Sequence, residues 1–329
     1  MIRRREFIGL LGGATAAWPV VTRAQQPTMP VIGFLYSGSA ETQQKMLAPF
    51  RQGLAEAGYV EEKNLAVEYR WADGRYERLP ELAADLVRRN VNVIAVPSST
   101  PAALAAKAAS SAIPIVFAVG DDPVKLGLVA SLARPGSNAT GINFFIAELS
   151  AKRLGLLREL VPAATRVAVL VNPADPVRTE TIVNDVGAAA RVLGLQIQAL
   201  NASNIREIDE AFTGLARERM DALFVAPDSF FNDRRVQLAL LAARHGVPTA
   251  YSVRDYVEAG GLMSYGTNLA YSNRQVGVYT GLILKGAKPA DLPVQQPTQF
   301  ELVINLSAAK TIGIDMPPSI LARAHEVIE

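Results

Sequence analysis

The sequence predicts an α/β protein in which the chain winds two Rossmann-like, doubly wound parallel-sheet lobes in succession. Three observations lead to this. Short apolar runs alternate with amphipathic stretches of helical length. The runs are apolar throughout rather than at every second residue, as strands buried on both faces are. The alternation also pauses near residue 145 and then restarts, and 329 residues are enough for two cores. An eightfold barrel shares the alternation but gives no reason for the pause.

In the first half, strands are expected at 31–35, 65–69, 91–96, 113–119 and 140–145. Met46, Leu47, Phe50, Leu54 and Ala57 recur at helical spacing and are stopped by Gly58. Leu79, Leu82, Ala83, Leu86 and Val87 do the same over 75–89. Thr100-Pro101 opens another helix with a capping residue and a proline at the first position. A short helix is expected over 124–132. The second half predicts helices over 148–160, 178–193, 205–218, 231–245 and 271–284, with Gly194 and Gly246 as stops. Its strands are expected at 166–171, 195–200, 222–225, 248–252, 262–265 and 300–304.

The first residues read as an export leader. Arg3-Arg4-Arg5-Glu6-Phe7-Ile8 precedes a mildly apolar run to Val21, then Thr22-Arg23-Ala24. The adjacent arginines resemble the twin-arginine signal of bacteria, with cleavage expected after Ala24 and delivery to the periplasm. No later stretch reaches the roughly 18–20 uncharged apolar residues that a spanning helix needs.

The leader also accounts for the overall charge of +2, since it holds four of the 33 basic residues and one of the 31 acidic ones. The rest is close to neutral, which argues against a nucleic-acid partner held by phosphate charge. With no cysteine, disulfides, thiolate metal sites and cysteine nucleophiles are excluded. No G-x-G-x-x-G follows the first strand, and no phosphate loop or G-x-S-x-G elbow occurs. His245 and His325 sit near helix ends, without a nucleophile or metal-binding context. No catalytic residue, cofactor or metal is expected.

Ligands of open parallel sheets bind beyond the carboxyl ends of the strands. The residues there are Ser37 and Ser39, then Ser98, Ser99 and Thr100, then Asp121 and Asp122, then Asn143 and Phe144. The second half adds Asn172, Asp228, Phe230, Tyr251 and Arg254, with Tyr265 further on. Ser98-Ser99-Thr100 offers hydroxyls and free N–H groups at a helix start, suited to a carboxylate, although capping by Thr100 explains it equally. Asp121, Asp122 or Asp228 suits a ligand ammonium, and helix capping is the plainer role for each. Phe230, Tyr251 and Tyr265 are candidate apolar walls or simply core.

Several tracts carry a resemblance. The leader ending in Arg23-Ala24-Gln25-Gln26, the run Phe50-Arg51-Gln52-Gly53-Leu54-Ala55-Glu56-Ala57-Gly58-Tyr59 and Pro123-Val124-Lys125-Leu126-Gly127-Leu128-Val129 resemble solute-binding proteins of ABC transporters. So do Phe230-Phe231-Asn232-Asp233-Arg234-Arg235 and Gly260-Gly261-Leu262-Met263-Ser264-Tyr265-Gly266. The resemblance is to the uncharacterised or tryptophan-type branch and runs from about Pro30 to Glu329. It implies a type 1 periplasmic-binding-protein fold, two lobes joined by three crossings, near 143–147, 264–268 and 297–302. The lobes would be 30–145 plus 266–299 and 146–265 plus 300–329. It further implies a monomer that traps an amino acid, aromatic acid or similar carboxylate for a membrane permease. Ser98, Ser99 and Thr100 would meet the carboxylate, and one of Asp121, Asp122 and Asp228 the amine. A ligand-sensing receptor partner and an exported α/β hydrolase remain the alternatives.

Overall fold

The structure is a computed structural model that describes residues 29–41, 44–144, 146–297 and 300–329. The expected leader, residues 1–24, lies outside them. The first lobe opens with β1 (Val31–Tyr36), α1 (Gln44–Glu56), β2 (Ala66–Trp71) and α2 (Leu79–Arg88). It continues through β3 (Val93–Val96), α3 (Thr100–Ala109), β4 (Ile115–Val119) and β5 (Ala139–Asn143). The second lobe comprises α4 (Ile146–Leu160), β6 (Arg166–Val171), α5 (Pro176–Leu193), β7 (Gln196–Asn201), α6 (Ile205–Arg217) and β8 (Ala222–Val225). Then come α7 (Ser229–Asp233), α8 (Arg235–Arg244), β9 (Thr249–Tyr251), α9 (Arg254–Glu258) and β10 (Met263–Thr267). The chain ends with α10 (Leu269–Leu284), β11 (Phe300–Asn305), α11 (Leu306–Thr311), α12 (Pro318–Leu321) and β12 (Glu326–Ile328).

The first sheet runs β2-β1-β3-β4-β5, parallel throughout. The second runs β12-β11-β10-β9-β8-β6-β7, and its β7-β6-β8-β9-β10 part repeats that parallel order. Within it β11 is antiparallel to β10. Strands β1, β3, β4, β6 and β8 are buried almost throughout, because helices cover both faces. Edge strands β2 and β7 are half-exposed and carry the polar residues. The order β2-β1-β3 places a topological switch between β1 and β3, and Tyr36 and Ser98 lie at the ends of those strands.

Helix α10 follows ten strands yet packs on the first lobe, against α1 and strands β3, β4 and β5. The α1–α10 contact is made backbone to backbone. A Cβ on Gly53 would lie 2.0 Å from the Arg274 carbonyl oxygen, and one on Gly277 2.1 Å from that of Phe50. The segments that pass between lobes lie side by side. Thr267 Oγ1 donates to the Phe144 carbonyl at 2.9 Å, and the Asn143 N–H to the Gln295 carbonyl at 2.8 Å.

Three expectations need correction. Residues 124–132 form turns, not a helix: Gly127 has φ +71, and the Leu128 N–H bonds the Pro123 carbonyl at 2.9 Å. The helix expected over 231–245 is two, α7 and α8, broken at Arg234, which has left helical ψ (φ −99, ψ 15). Strand β12 was not expected; it is a mostly exposed segment of three residues, too short to stand out as an apolar run.

Candidate functional site

The carboxyl ends of both parallel sheets face one another across a cleft. Tyr36, Ser98 and Phe144 line it from the first lobe; Arg153, Arg178, Asp228, Ser229, Asn232 and Ser252 line it from the second. Gly266, Thr267 and Leu269, where β10 passes into α10, form a further wall.

Asp228 follows β8 and caps α7, its Oδ1 accepting the Phe230 N–H at 2.9 Å and the Phe231 N–H at 3.3 Å. Asn172, at the end of β6, donates Nδ2–H to the same oxygen at 3.1 Å. The fourth partner comes from the other lobe: the Tyr76 hydroxyl donates to Oδ2 at 2.9 Å. Burial pushes the Asp228 carboxyl above the usual range, and these donors and the nearby Arg178 hold it back. Burial, with Asp228 next to it, also raises Tyr76 far above the ordinary phenol range, so its proton stays and it donates.

Arg178 sits in the first turn of α5 and reaches across the cleft. Its Nη2 pairs with Asp121, which follows β4 in the first lobe, and its Nε lies 3.5 Å from Asp175 of its own helix start. The side chain is 11% exposed, against 18% for Asp121 and 13% for Asp175. Burial works against the cation, but Asp121 and Asp175 outweigh it and the pKa is raised. A third interlobe bond joins the Ser39 N–H to Asp233 Oδ2 at 2.9 Å. The lobes are shut on each other by these polar contacts.

Arg153, on α4, is different. It is 1% exposed, its Nε donates to the Tyr265 carbonyl at 3.0 Å, and its guanidinium lies 5.2 Å from the Phe224 ring. Its Nη1 has no partner among the described residues, and no carboxylate pairs with it there. Burial lowers its pKa to about 9, which leaves it cationic at neutral pH.

Ser98, Phe144 and Asp228 thus reach the cavity, as the sequence predicts. Ser98 holds φ +53 and donates its hydroxyl to Asn273 Oδ1 at 2.8 Å. Ser37 and Ser99 lie behind it, with Ser99 Oγ donating to Ser37 Oγ at 2.8 Å. Ser99, not Thr100, caps α3, accepting the Ala102 N–H at 3.3 Å, and Thr100 Oγ1 is buried without a partner. Asn143 is buried at the end of β5, and Asn172 serves Asp228. Asp122 caps a turn through the Val124 N–H at 2.9 Å and is exposed. Phe230 is buried in the second lobe and comes against Gly74 of the first.

Tyr251, Arg254 and Tyr265 do not line the cavity. Tyr251 stacks on Tyr256 at 4.5 Å inside the core, because β9 is covered on that face. Arg254 turns away and pairs with Glu258, Glu301 and Glu326. Tyr265 packs on Phe300 at 6.3 Å; Gly266, the next residue of β10, faces the cavity, and neighbours on a strand point opposite ways. Tyr76, Arg153, Arg178 and Asn232 were missed. Arg153 left a signal: it shares a stripe with Leu149, Leu156, Leu157 and Leu160, at the spacing of a buried helix face.

Tyr76→Phe tests the first of the interlobe contacts. It strips Asp228 Oδ2 of the hydroxyl bond, which costs about 1–3 kcal/mol when the partner stays buried. The variant should fold normally and bind cleft ligands roughly 5- to 150-fold more weakly by calorimetry. Unchanged affinity would mean that this bond does not hold the closed form.

Two doubly wound lobes shut over a cavity of mixed polar and apolar lining define the two-lobed binding proteins of the type 1 periplasmic class, which capture small molecules between lobes. Residues 31–328 match the family model of the ABC transporter substrate binding protein, and the chain belongs to that family. It is 26% identical over 265 residues to a tyrosine-binding protein of Clostridioides difficile, covering 80% of this chain and 75% of that one. A conserved domain protein of Vibrio cholerae superposes with TM-score 0.82 at 28% identity, over 91% of this chain and 99% of that one. An ABC domain from Streptococcus pneumonia in complex with L-Trp gives TM-score 0.80 at 26% identity, with the same coverages.

Proposed function

We propose that this chain is the exported solute receptor of an ABC importer, which captures a small carboxylate with an aromatic or apolar body and presents it to a membrane permease. The observation that carries this reading is the set of bonds from lobe to lobe around the cavity, Tyr76 to Asp228, Asp121 to Arg178 and Ser39 to Asp233. Such a set forms only when the lobes close, and hinge closure around a ligand is how this class works. The family match and the relatives that bind tyrosine and L-Trp support the ligand class.

The lobes are taken as 30–145 plus 266–299 and 146–265 plus 300–329, with their flanking surfaces meeting the permease. The receptor acts as a monomer in the periplasm, sent there by the twin-arginine-type leader cut after Ala24, and releases its ligand unchanged. Among the described residues no helix is long and apolar enough to cross a membrane.

Thermal unfolding of the purified protein against amino acids, aromatic acids and aliphatic acids tests this. A ligand at a hundredfold excess over its Kd stabilises the folded form by about 2.7 kcal/mol. A shift with aromatic or apolar carboxylates, and the compound recovered intact, is the expected result. Consumption of the compound would replace the receptor with an enzyme, and a shift only with sugars or cations would discard the ligand class.

A further inference from the structure

We propose that the cleft is built for aromatic carboxylates that lack an α-ammonium group, with Arg153 as the anchor of the carboxylate. This rests on the receptor reading above and narrows its ligand.

Arg153 is a cation that the fold has buried and left incomplete. A buried guanidinium without a counter-charge costs several kcal/mol, so such groups are paired in working states. The side chain lines the cavity; its Nε is taken by a neutral carbonyl, and its buried Nη1 has nothing to donate to among the described residues. A ligand carboxylate supplies both the charge and the acceptor, and a guanidinium offers it a planar fork of N–H groups.

An amino acid would bring an ammonium as well, with three N–H groups to place. Asp228 is the carboxylate that lines the cavity among the described residues, and it already accepts four bonds, from Phe230, Phe231, Asn172 and Tyr76. Three of these fall on Oδ1 and one on Oδ2, so of a carboxylate's roughly four acceptor positions at most one stays open, too few for the three N–H groups of an ammonium. Asp121 is committed to Arg178, and Asp233 takes the Ser39 N–H. A neutral acceptor is on offer instead: Asn232 lines the cavity, and its Oδ1 is buried and unpartnered among the described residues. One amide oxygen suits a phenol O–H or an indole N–H at the far end of a ligand better than an ammonium. Phe144, Leu149, Val253 and Leu269 supply apolar wall for the body between the two ends.

Calorimetry on matched pairs decides the matter: 3-(4-hydroxyphenyl)propionate against L-tyrosine, and indole-3-propionate against L-tryptophan. The acid of each pair should bind at least tenfold tighter than the amino acid. In Arg153→Met that preference should shrink and acid binding should fall by a hundredfold or more, while Arg153→Lys retains part of it. The wild-type comparison stands even if the methionine variant does not fold. Amino acids that bind tighter than their des-amino partners would overturn this inference and leave the receptor reading intact. Silence from both members of both pairs, with a non-carboxylate binding instead, would overturn the two together.

Discussion

Replacing Arg178 with methionine should open the molecule rather than unfold it. In the closed form the change strands Asp121 and Asp175 against each other without their shared cation, and Asp228 lies close by. Removing one partner from a buried ion pair costs about 3–5 kcal/mol. Here there is a cheaper escape than unfolding. Asp121 belongs to the first lobe and Asp175 to the second, so swinging the lobes apart returns both to water. The penalty therefore falls on closure, and only closed molecules hold ligand. A closure penalty of 3 kcal/mol or more weakens apparent affinity by over a hundredfold, roughly tenfold for each 1.4 kcal/mol. Small-angle scattering should show a larger radius of gyration for the variant, and its melting temperature should fall much less than its affinity. An unchanged scattering curve with a collapsed melting temperature would show that Arg178 holds a lobe together, not the pair of lobes.

Gly277→Ala should be among the most costly of the single-methyl additions. The added Cβ would sit 2.1 Å from the Phe50 carbonyl oxygen and 2.9 Å from the Leu54 nitrogen. Both are backbone atoms, so no side chain can rotate aside, and α10 must lift off α1. Overpacking of this kind costs about 1–3 kcal/mol, occasionally more, and rigid backbone places it at the upper end. The melting temperature should drop by about 2–4 °C for each kcal/mol in a protein of this size. Gly155→Ala on α4 is the control, since its Cβ meets nothing within 4 Å. That substitution should stabilise by about 0.4–1 kcal/mol through the unfolded chain. Equal behaviour of the two variants would mean that α1 and α10 can part without loss.

The fold was legible because its central strands are short and apolar on both faces, so β1, β3, β4, β6 and β8 stand out as uninterrupted runs. The turns at 124–132 were not, since Val124, Leu128 and Leu132 keep helical spacing while Gly127 takes a left-handed φ. The site was readable where a strand's end fixes it, as at Ser98, Phe144 and Asp228. Arg254 follows a strand equally closely, yet three acids draw it to the far side of its lobe. Tyr76 lies on a 3₁₀ turn, Tyr76–Arg78, that has no periodicity, and its partner is 152 residues away. Contacts of that kind belong to the closed shape of two lobes and leave no trace in local sequence.

The return of α10 to the first lobe also sets an order for synthesis. Domains generally fold as units, the N-terminal one first as it leaves the ribosome. This chain departs from that schedule. The glycine-bearing face of α1, with Phe50 and Leu54 beside it, stays uncovered until Leu284 has been translated, by which time strands β6 to β10 already exist. The first lobe to begin therefore cannot finish until most of the second has been made, and the second in turn still awaits β11 and β12.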